Sequence, residues 1–203
     1  VGPRIVAAFD FDKTLSTRDN VVPFLVSLAG RTAVLASLAR SVPDLTRRDR
    51  DAIKARLARD LLAGREAAEI ASIAAAFADE IVAHHLRDDV IARAEWHRDE
   101  GHERVVVSAS FECYVVPVAE RLGFDAALAT RLATGDDGRL TGLLDGPNVR
   151  RGEKVVRLDA WLGDAPCELW AYGDSAGDRE LFARADHVVR VQRPRLSRRP
   201  IGE

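Results

Sequence analysis

The spacing of apolar positions changes several times along this chain, and each change marks an element. Ile5 to Phe9 is an unbroken apolar run, which predicts a strand buried on both faces. It stops at Asp10 and Asp12, with Phe11 between them and Lys13 and Thr14 after. Helical spacing follows. Asp19 or Asn20 can cap a helix that has Pro23 near its first turn, and apolar residues continue through Leu38. Ser41 to Asp44 is a break. Ile53, Leu57 and Leu61 then recur one helical turn apart until Gly64. Ile70, Ile73, Phe77 and Ile81 repeat that pattern, and Arg87 to Glu100 makes a further helix closed by Gly101.

At Arg104 the period changes again. Arg104 to Ser108 is β-branched and predicts a second buried strand. A helix runs on through Glu120 and Leu122, with Pro117 in its early turns and Gly123 at its end. Leu128 to Thr134 and Arg139 to Leu143 flank Gly135-Asp-Asp-Gly138, a hairpin signal. Glu153 to Leu162 predicts a helix, Glu168 to Tyr172 a strand, Arg179 to Ala185 a helix and His187 to Val191 a last strand.

Strands alternating with helices predict an α/β fold, a parallel sheet with helices on both faces. Such sheets place ligands beyond the carboxyl ends of their strands. About 90 mostly helical residues separate the first two strands, too many for one crossover. Arg87 to Glu100 can be the crossover helix. Residues 16–86 are then an inserted helical cap, and residues 1–15 with 87–203 form the core.

Composition narrows the classes. Of 203 residues, 47% are hydrophobic and 31% charged, which suits a globular chain with a full core. A net charge of -2 argues against a general nucleic-acid binder. Cys113 and Cys167 lack metal-type spacing and read as reduced core thiols, which points to the cytoplasm. The chain starts directly on a strand, without a signal-peptide pattern. Val21 to Ala39 approaches the ~20 apolar residues of a membrane span. Pro23, Gly30 and Arg31 interrupt it, so a pair of soluble helices is expected, with monotopic membrane contact as the alternative. The five histidines lack ligand spacing and read as structural or surface residues; Trp96, Trp161 and Trp170 read as core. The arginine-rich tail from Arg190 to Pro200 reads as a solvated end, with an anionic lipid surface as the alternative.

Three predicted strand ends deliver chemistry to one edge. Asp10 and Asp12 at the mouth of a buried strand resist double ionisation, and a divalent cation removes that cost. An Asp-rich turn is the bland alternative. Ser108 ends the second strand and can face a phosphate or cap the next helix; Ser110 is its rival, and Ser108 is preferred because it directly follows the strand. Asp174 and Asp178 sit in a glycine-containing loop after the Trp170 strand, as further carboxylates or as helix caps. Lys154 is either a surface lysine or an ammonium set against a phosphate and a carboxylate. Oxygen-only ligands fit Mg²⁺.

FDFDKTL, VVVSAS, Lys154 and YGDSAGD, in this order, resemble the four signature motifs of the haloacid dehalogenase-like hydrolases over Val1 to Ala185. The helical insert, with DGRLTG and GEKV, is similar to the phosphoserine-phosphatase-like branch, subfamily IB. The resemblance implies a Rossmann-like three-layer parallel-sheet core with an inserted C1-type cap. It implies Asp10 as the nucleophile that forms an aspartyl-phosphate, and Asp12 as acid for the leaving alkoxide and then base for water. Ser108 and Lys154 would hold phosphate oxygens. Asp10, the Asp12 backbone carbonyl and Asp174 would bind Mg²⁺, with Asp178 orienting Lys154 or a metal-bound water. Elementary electrostatics agrees with these roles: a carboxylate and a phosphate dianion repel, so positive charge must stand between them. A covalent step then divides one hard hydrolysis into two easier ones.

The expected partner is a small phosphate ester, phosphoserine-like, with histidinol phosphate or a lipid phosphate such as phosphatidylglycerophosphate as alternatives. In that branch an acidic residue after the first motif contacts the substrate amine, and Asp19 stands about there. A cap arginine holds the substrate carboxylate; Arg56 is the leading candidate, with Arg47, Arg48, Arg50 and Lys54 as competitors. Lys13 and Ala109 depart from the small residue and the glycine common at those positions. A silent phospholigand-binding module is the non-enzyme alternative, disfavoured by the intact Asp10 and Asp12 pair. Phosphoryl transfer to an acceptor other than water is a third reading.

Overall fold

Strand β1 (Arg4–Phe9) lies inside a six-stranded sheet of order β4-β3-β2-β1-β5-β6. The other strands are β2 (Glu103–Phe111), β3 (Ala126–Thr134), β4 (Leu140–Asp145), β5 (Cys167–Gly173) and β6 (His187–Arg190). Every neighbouring pair is parallel except β3 with β4, the predicted hairpin. These features come from a computed structural model that describes residues 4–41 and 49–191. Most of the predicted break at Ser41 to Asp44, the candidates Arg47 and Arg48, and the tail beyond Val191 lie outside the described residues.

Alternation along β1 sorts the core into two layers, because successive side chains point to opposite faces. Val6 and Ala8 pack with Val105, Val107, Leu169 and Ala171 against α7 (Gly152–Leu162) and α8 (Arg179–Arg184). Ala7 and Phe9 face the other way, towards α5 (Asp88–Asp99) and α6 (Glu112–Arg121). This three-layer α/β arrangement is the one expected.

Between β1 and β2 run α1 (Val21–Ala29), α2 (Arg31–Arg40), α3 (Arg50–Leu62) and α4 (Ala67–His84). The chain enters and leaves this segment side by side: Ser16 and Leu86 form a β-bridge, and Arg87 N donates to Leu15 O. Phe24 and Phe77 pack their rings on Tyr114 of α6. Helix α3 lies so close to β4 that a Cβ on Gly142 would meet Ala63 Cβ at 2.8 Å and Arg59 Cα at 2.9 Å. The apolar stretch at Val21 breaks into two helices at Gly30, and no helix among the described residues is long and apolar enough to cross a membrane.

Some expectations need correction. Strand β2 continues past Ser108 to Phe111, and its register against β3 shifts between Val107 and Phe111, so Ser108 to Ser110 lie in an irregular stretch. Pro117 sits in the middle of α6 rather than in its early turns. None of the three tryptophans is fully buried: Trp96 is 37% exposed, Trp161 and Trp170 are half-buried. Trp170 and Trp161 still pack against the two core layers, and Trp170 also stacks on His187. Both cysteines are unpaired and half-buried.

Candidate active site

The register places the strand ends. Phe9 pairs with Val106 on one side and Tyr172 on the other, so Asp10 emerges between the Ser108 stretch and the loop after Gly173. Asp10 N donates to Tyr172 O at 2.9 Å, extending the ladder by one residue. The chain then turns through Phe11–Leu15, with Asp12 at ψ 123 and Lys13 at φ 63. A positive φ is uncommon for a residue with a Cβ. The turn sends the two carboxylates to different partners.

Asp10 is 8% exposed and takes hydrogen bonds from Thr14 Oγ1 at 3.0 Å and Lys154 Nζ at 2.5 Å. Lys154 also donates to Asp178 Oδ1 at 2.7 Å. Burial works against the Lys154 charge, but Asp10 and Asp178 together hold its pKa above the ordinary value. Asp178 accepts from Ser175 N and Oγ at 3.1 and 3.0 Å through Oδ2, closing a capping box on the turn Ala176–Asp178. Asp178 thus touches Lys154 and serves as the third residue of a box whose cap is Ser175, while at the start of α8 it makes no side-chain cap bond of its own. Gly173 lets it approach: a Cβ there would sit 2.7 Å from Asp178 Cγ.

Asp12 points elsewhere. Its Oδ1 accepts from Asn20 N at 3.0 Å and Nδ2 at 2.8 Å, and its Oδ2 from Ser110 Oγ at 2.5 Å. Asn20, expected as a helix cap, makes no side-chain cap bond and spends its amide on Asp12 and Ser16 instead. Burial first, and the nearby Asp19 charge second, push the Asp12 carboxyl up to about 7, although Ser110 acts against them. Burial likewise pushes Asp10 up to about 6, opposed by Lys154. The two acids thus have different hydrogen-bond partners on one strand end, while both are raised first by burial and the Asp10 charge also raises Asp12.

Ser108 and Ser110 differ in place: Ser108 lines the cleft, and Ser110 donates to Asp12. Ser108 is buried at the cleft, where its Oγ accepts from Ser110 N at 3.0 Å, while Ser110 secures Asp12. Asp10, Asp174 and Asp178 each offer a carboxylate oxygen, and these oxygens lie within 4.8 Å of one another. An all-oxygen cluster of this size suits a small hard cation such as Mg²⁺.

Asp10, Asp12, Ser108, Lys154, Asp174 and Asp178 line one cleft of about 390 Å³ with Lys13, Asp19, Val21, Val22, Arg50, Ile53, Lys54, Leu57, Asn148 and Arg150. Of the expected substrate-selecting residues, Asp19 is in the cleft and Arg56 is not. Arg56 adds its charge near Asp60, on the far side of α3. Arg50 and Lys54 are the α3 cations that reach the cleft. Asn148 and Arg150, from the loop after β4, were not singled out by sequence reasoning; neither sits in a recognisable spacing.

A family model described as haloacid dehalogenase-like hydrolase matches residues 7–183. Protein CicA of Caulobacter vibrioides is 39% identical over 185 residues, covering 90% of this chain and 83% of that protein. A histidinol-phosphatase of Neisseria meningitidis serogroup C is 31% identical over 130 residues, 61% of this chain and 58% of that one. Among solved structures, a substrate-bound phosphoserine phosphatase superposes with a TM-score of 0.67 at 20% identity, covering 96% of this chain and 89% of that one.

Proposed function

The chain belongs to the haloacid dehalogenase-like hydrolase family, and on that premise we propose that it hydrolyses phosphate monoesters through an aspartyl-phosphate on Asp10. The observation that carries this reading is the split between the two strand-end carboxylates. Asp10 lies against Lys154 and within reach of Asp174 and Asp178. Asp12 lies apart, held near neutral pKa by burial and Asp19.

In the first step an Asp10 oxygen attacks phosphorus and the bond to the leaving oxygen breaks, while Asp12 gives that oxygen its proton. In the second step Asp12 takes a proton from water as water attacks phosphorus. The bond to Asp10 then breaks and phosphate leaves. Lys154 and Ser108 face the phosphate oxygens, and Asp178 keeps Lys154 aimed. Asp10, Asp174 and the Asp12 carbonyl are the proposed holders of a divalent cation, Mg²⁺ by its fit to oxygen; when bound it supplies the positive charge that offsets repulsion between carboxylate and phosphate.

Residues 16–86 act as a cap that supplies Asp19, Val21, Val22, Ile53 and Leu57 to the cleft. The substrate is a small phosphorylated metabolite of the phosphoserine class. A second reading, a substrate with a larger apolar or ring-bearing alcohol such as histidinol phosphate, is favoured by that wall of four aliphatic side chains.

The test is phosphate release from an aryl phosphate in Mg²⁺. Activity removed by chelation and by Asp10→Asn is the expected result. Full activity in Asp10→Asn would reject the nucleophile, and tight ligand binding without turnover of any phosphate would favour a binding module.

A further inference from the structure

Lys54 has no part in the steps just described, yet it is 7% exposed at the cleft wall. Burying an ammonium is costly unless its protons find acceptors. Here Nζ donates to the Ala109 carbonyl and to Asn148 Oδ1, the latter at 2.9 Å, and lies 4.5 Å from the Phe111 ring centroid. Asn148 Nδ2 donates to Asp51 Oδ1 at 2.6 Å, so Asn148 grips α3 at two points about one turn apart. The fully buried Thr130 puts its hydroxyl 2.8 Å from Asn148 Oδ1 and 3.1 Å from Ala109 O, and accepts from Val149 N at 3.0 Å. Helix α3, the Ala109 stretch, β3 and the loop after β4 therefore meet at one polar knot.

Ala109 is the residue between Ser108, which lines the cleft, and Ser110, which holds Asp12. It also lies where β2 has lost its register against β3, so the ladder does not define that backbone. We infer that Lys54 is a positioning residue for phosphoryl transfer: by fixing the Ala109 carbonyl it sets Ser108 against the phosphate and Ser110 against Asp12, and it links both to the closure of α3 on the core. Two protein acceptors are committed to the Lys54 Nζ, which leaves at most one of its protons for a ligand in the cleft. The inference rests on the reading of Asp10 and Asp12 given above.

Lys54→Met keeps the aliphatic stem and removes the donors. With an aryl phosphate, kcat is expected to fall on the order of 10-fold to 100-fold while KM stays within about threefold, since misplacement by a fraction of an ångström acts on the transition state. Asn148→Ala is expected to lower kcat in the same direction, and the double variant to lose less than the product of the two. In Lys54→Ala, added methylammonium is expected to restore part of kcat, while tetramethylammonium, which has no N–H, does not. A kcat unchanged in Lys54→Met, or a loss confined to KM for anionic esters, would overturn the inference. If Lys54→Ala does not fold, Lys54→Met and Asn148→Ala decide alone. If the unaltered protein turns over no phosphate ester, the Asp10 reading fails separately. The knot is then judged by amide exchange over residues 108–112: faster exchange in Lys54→Met supports it, unchanged exchange overturns it.

Discussion

Lys154 Nζ lies 2.7 Å from Asp178 Oδ1, and both side chains are almost wholly removed from solvent. The same ammonium touches Asp10, so one positive charge neutralises parts of two buried carboxylates. Breaking a buried pair from one side leaves an uncompensated charge, which costs about 3–5 kcal/mol. Lys154→Met is therefore expected to lose both activity and stability by about that amount in urea unfolding. Asp178→Asn, which keeps an acceptor for Lys154, is expected to lose less stability. Equal unfolding midpoints for Lys154→Met and the unaltered chain would contradict the pairing.

The Asp12 carboxyl, pushed up to about 7 by burial and then by Asp19, holds a proton below that pH. Turnover of an alkyl phosphate, whose leaving group needs that proton, is expected to fall as pH rises through about 7. The Ser110 hydroxyl favours the carboxylate, so Ser110→Ala is expected to move this limb to higher pH. Asp12→Asn is expected to lower alkyl-ester turnover by on the order of 10²–10⁴, and aryl-ester turnover less, because an aryl oxide leaves more readily. A pH limb that stays in place in Ser110→Ala would remove Asp12 from the role of acid.

Two glycines separate site geometry from packing. Gly173→Ala would drive a Cβ into Asp178 at 2.7 Å, displacing the carboxylate that aims Lys154. Gly142→Ala would drive one into Arg59 of α3 and into Ala63 just past its end, at a φ of 78. Both are expected to lose about 1–3 kcal/mol of stability from overpacking. Only Gly173→Ala is expected to lose turnover of an aryl phosphate at a temperature where both remain folded. Equal turnover in the two variants would contradict the role given to Asp178.

His97 is fully buried, with Nε2 2.8 Å from Tyr172 Oη and Nδ1 2.8 Å from His102 Nδ1. Burial, and then the charges of His102 and Arg93, pull its pKa down to about 4. A folded value below the ordinary 6.5 means that the unfolded chain binds the proton first. The stabilising contribution of neutral His97 is therefore complete above about 6.5 and is lost as pH falls through about 4. Melting temperature against pH should drop more steeply across this window in the unaltered chain than in His97→Gln. Parallel curves would show that His97 does not titrate as described.

Much of the site was legible because its residues sit at ends of apolar runs. Asp10 follows Ile5 to Phe9, and Asp174 follows the Trp170 strand, so period placed both at strand ends, while the family resemblance supplied their expected roles. Arg56 shows where local pattern runs out. At 3.6 residues per turn it lies about 200° around α3 from Lys54, while Arg50, Ile53, Lys54 and Leu57 share the face that lines the cleft. Position at the strand end favoured Ser108, which lines the cleft, but the Ser110 bond to Asp12 was not available from spacing, because β2 loses its register between Val107 and Phe111. Asn148 reaches Lys54, and Thr130 reaches Asn148, only through tertiary closure, which leaves no periodic signal. Two of the tryptophans, expected in the core, gather with histidines, where Trp96 packs on His97, His102 and Trp170, while Trp161 packs half-buried against the other core layer.

The most direct test is to find where the phosphoryl group goes. The protein is mixed with a phosphate ester and Mg²⁺, quenched in acid within a turnover, digested and examined by mass spectrometry for an acid-stable, base-labile phosphoryl adduct. The account predicts one phosphoryl group on the peptide that contains Asp10, absent in Asp10→Asn. Label on any other residue, or turnover at the full rate in Asp10→Asn, would contradict it.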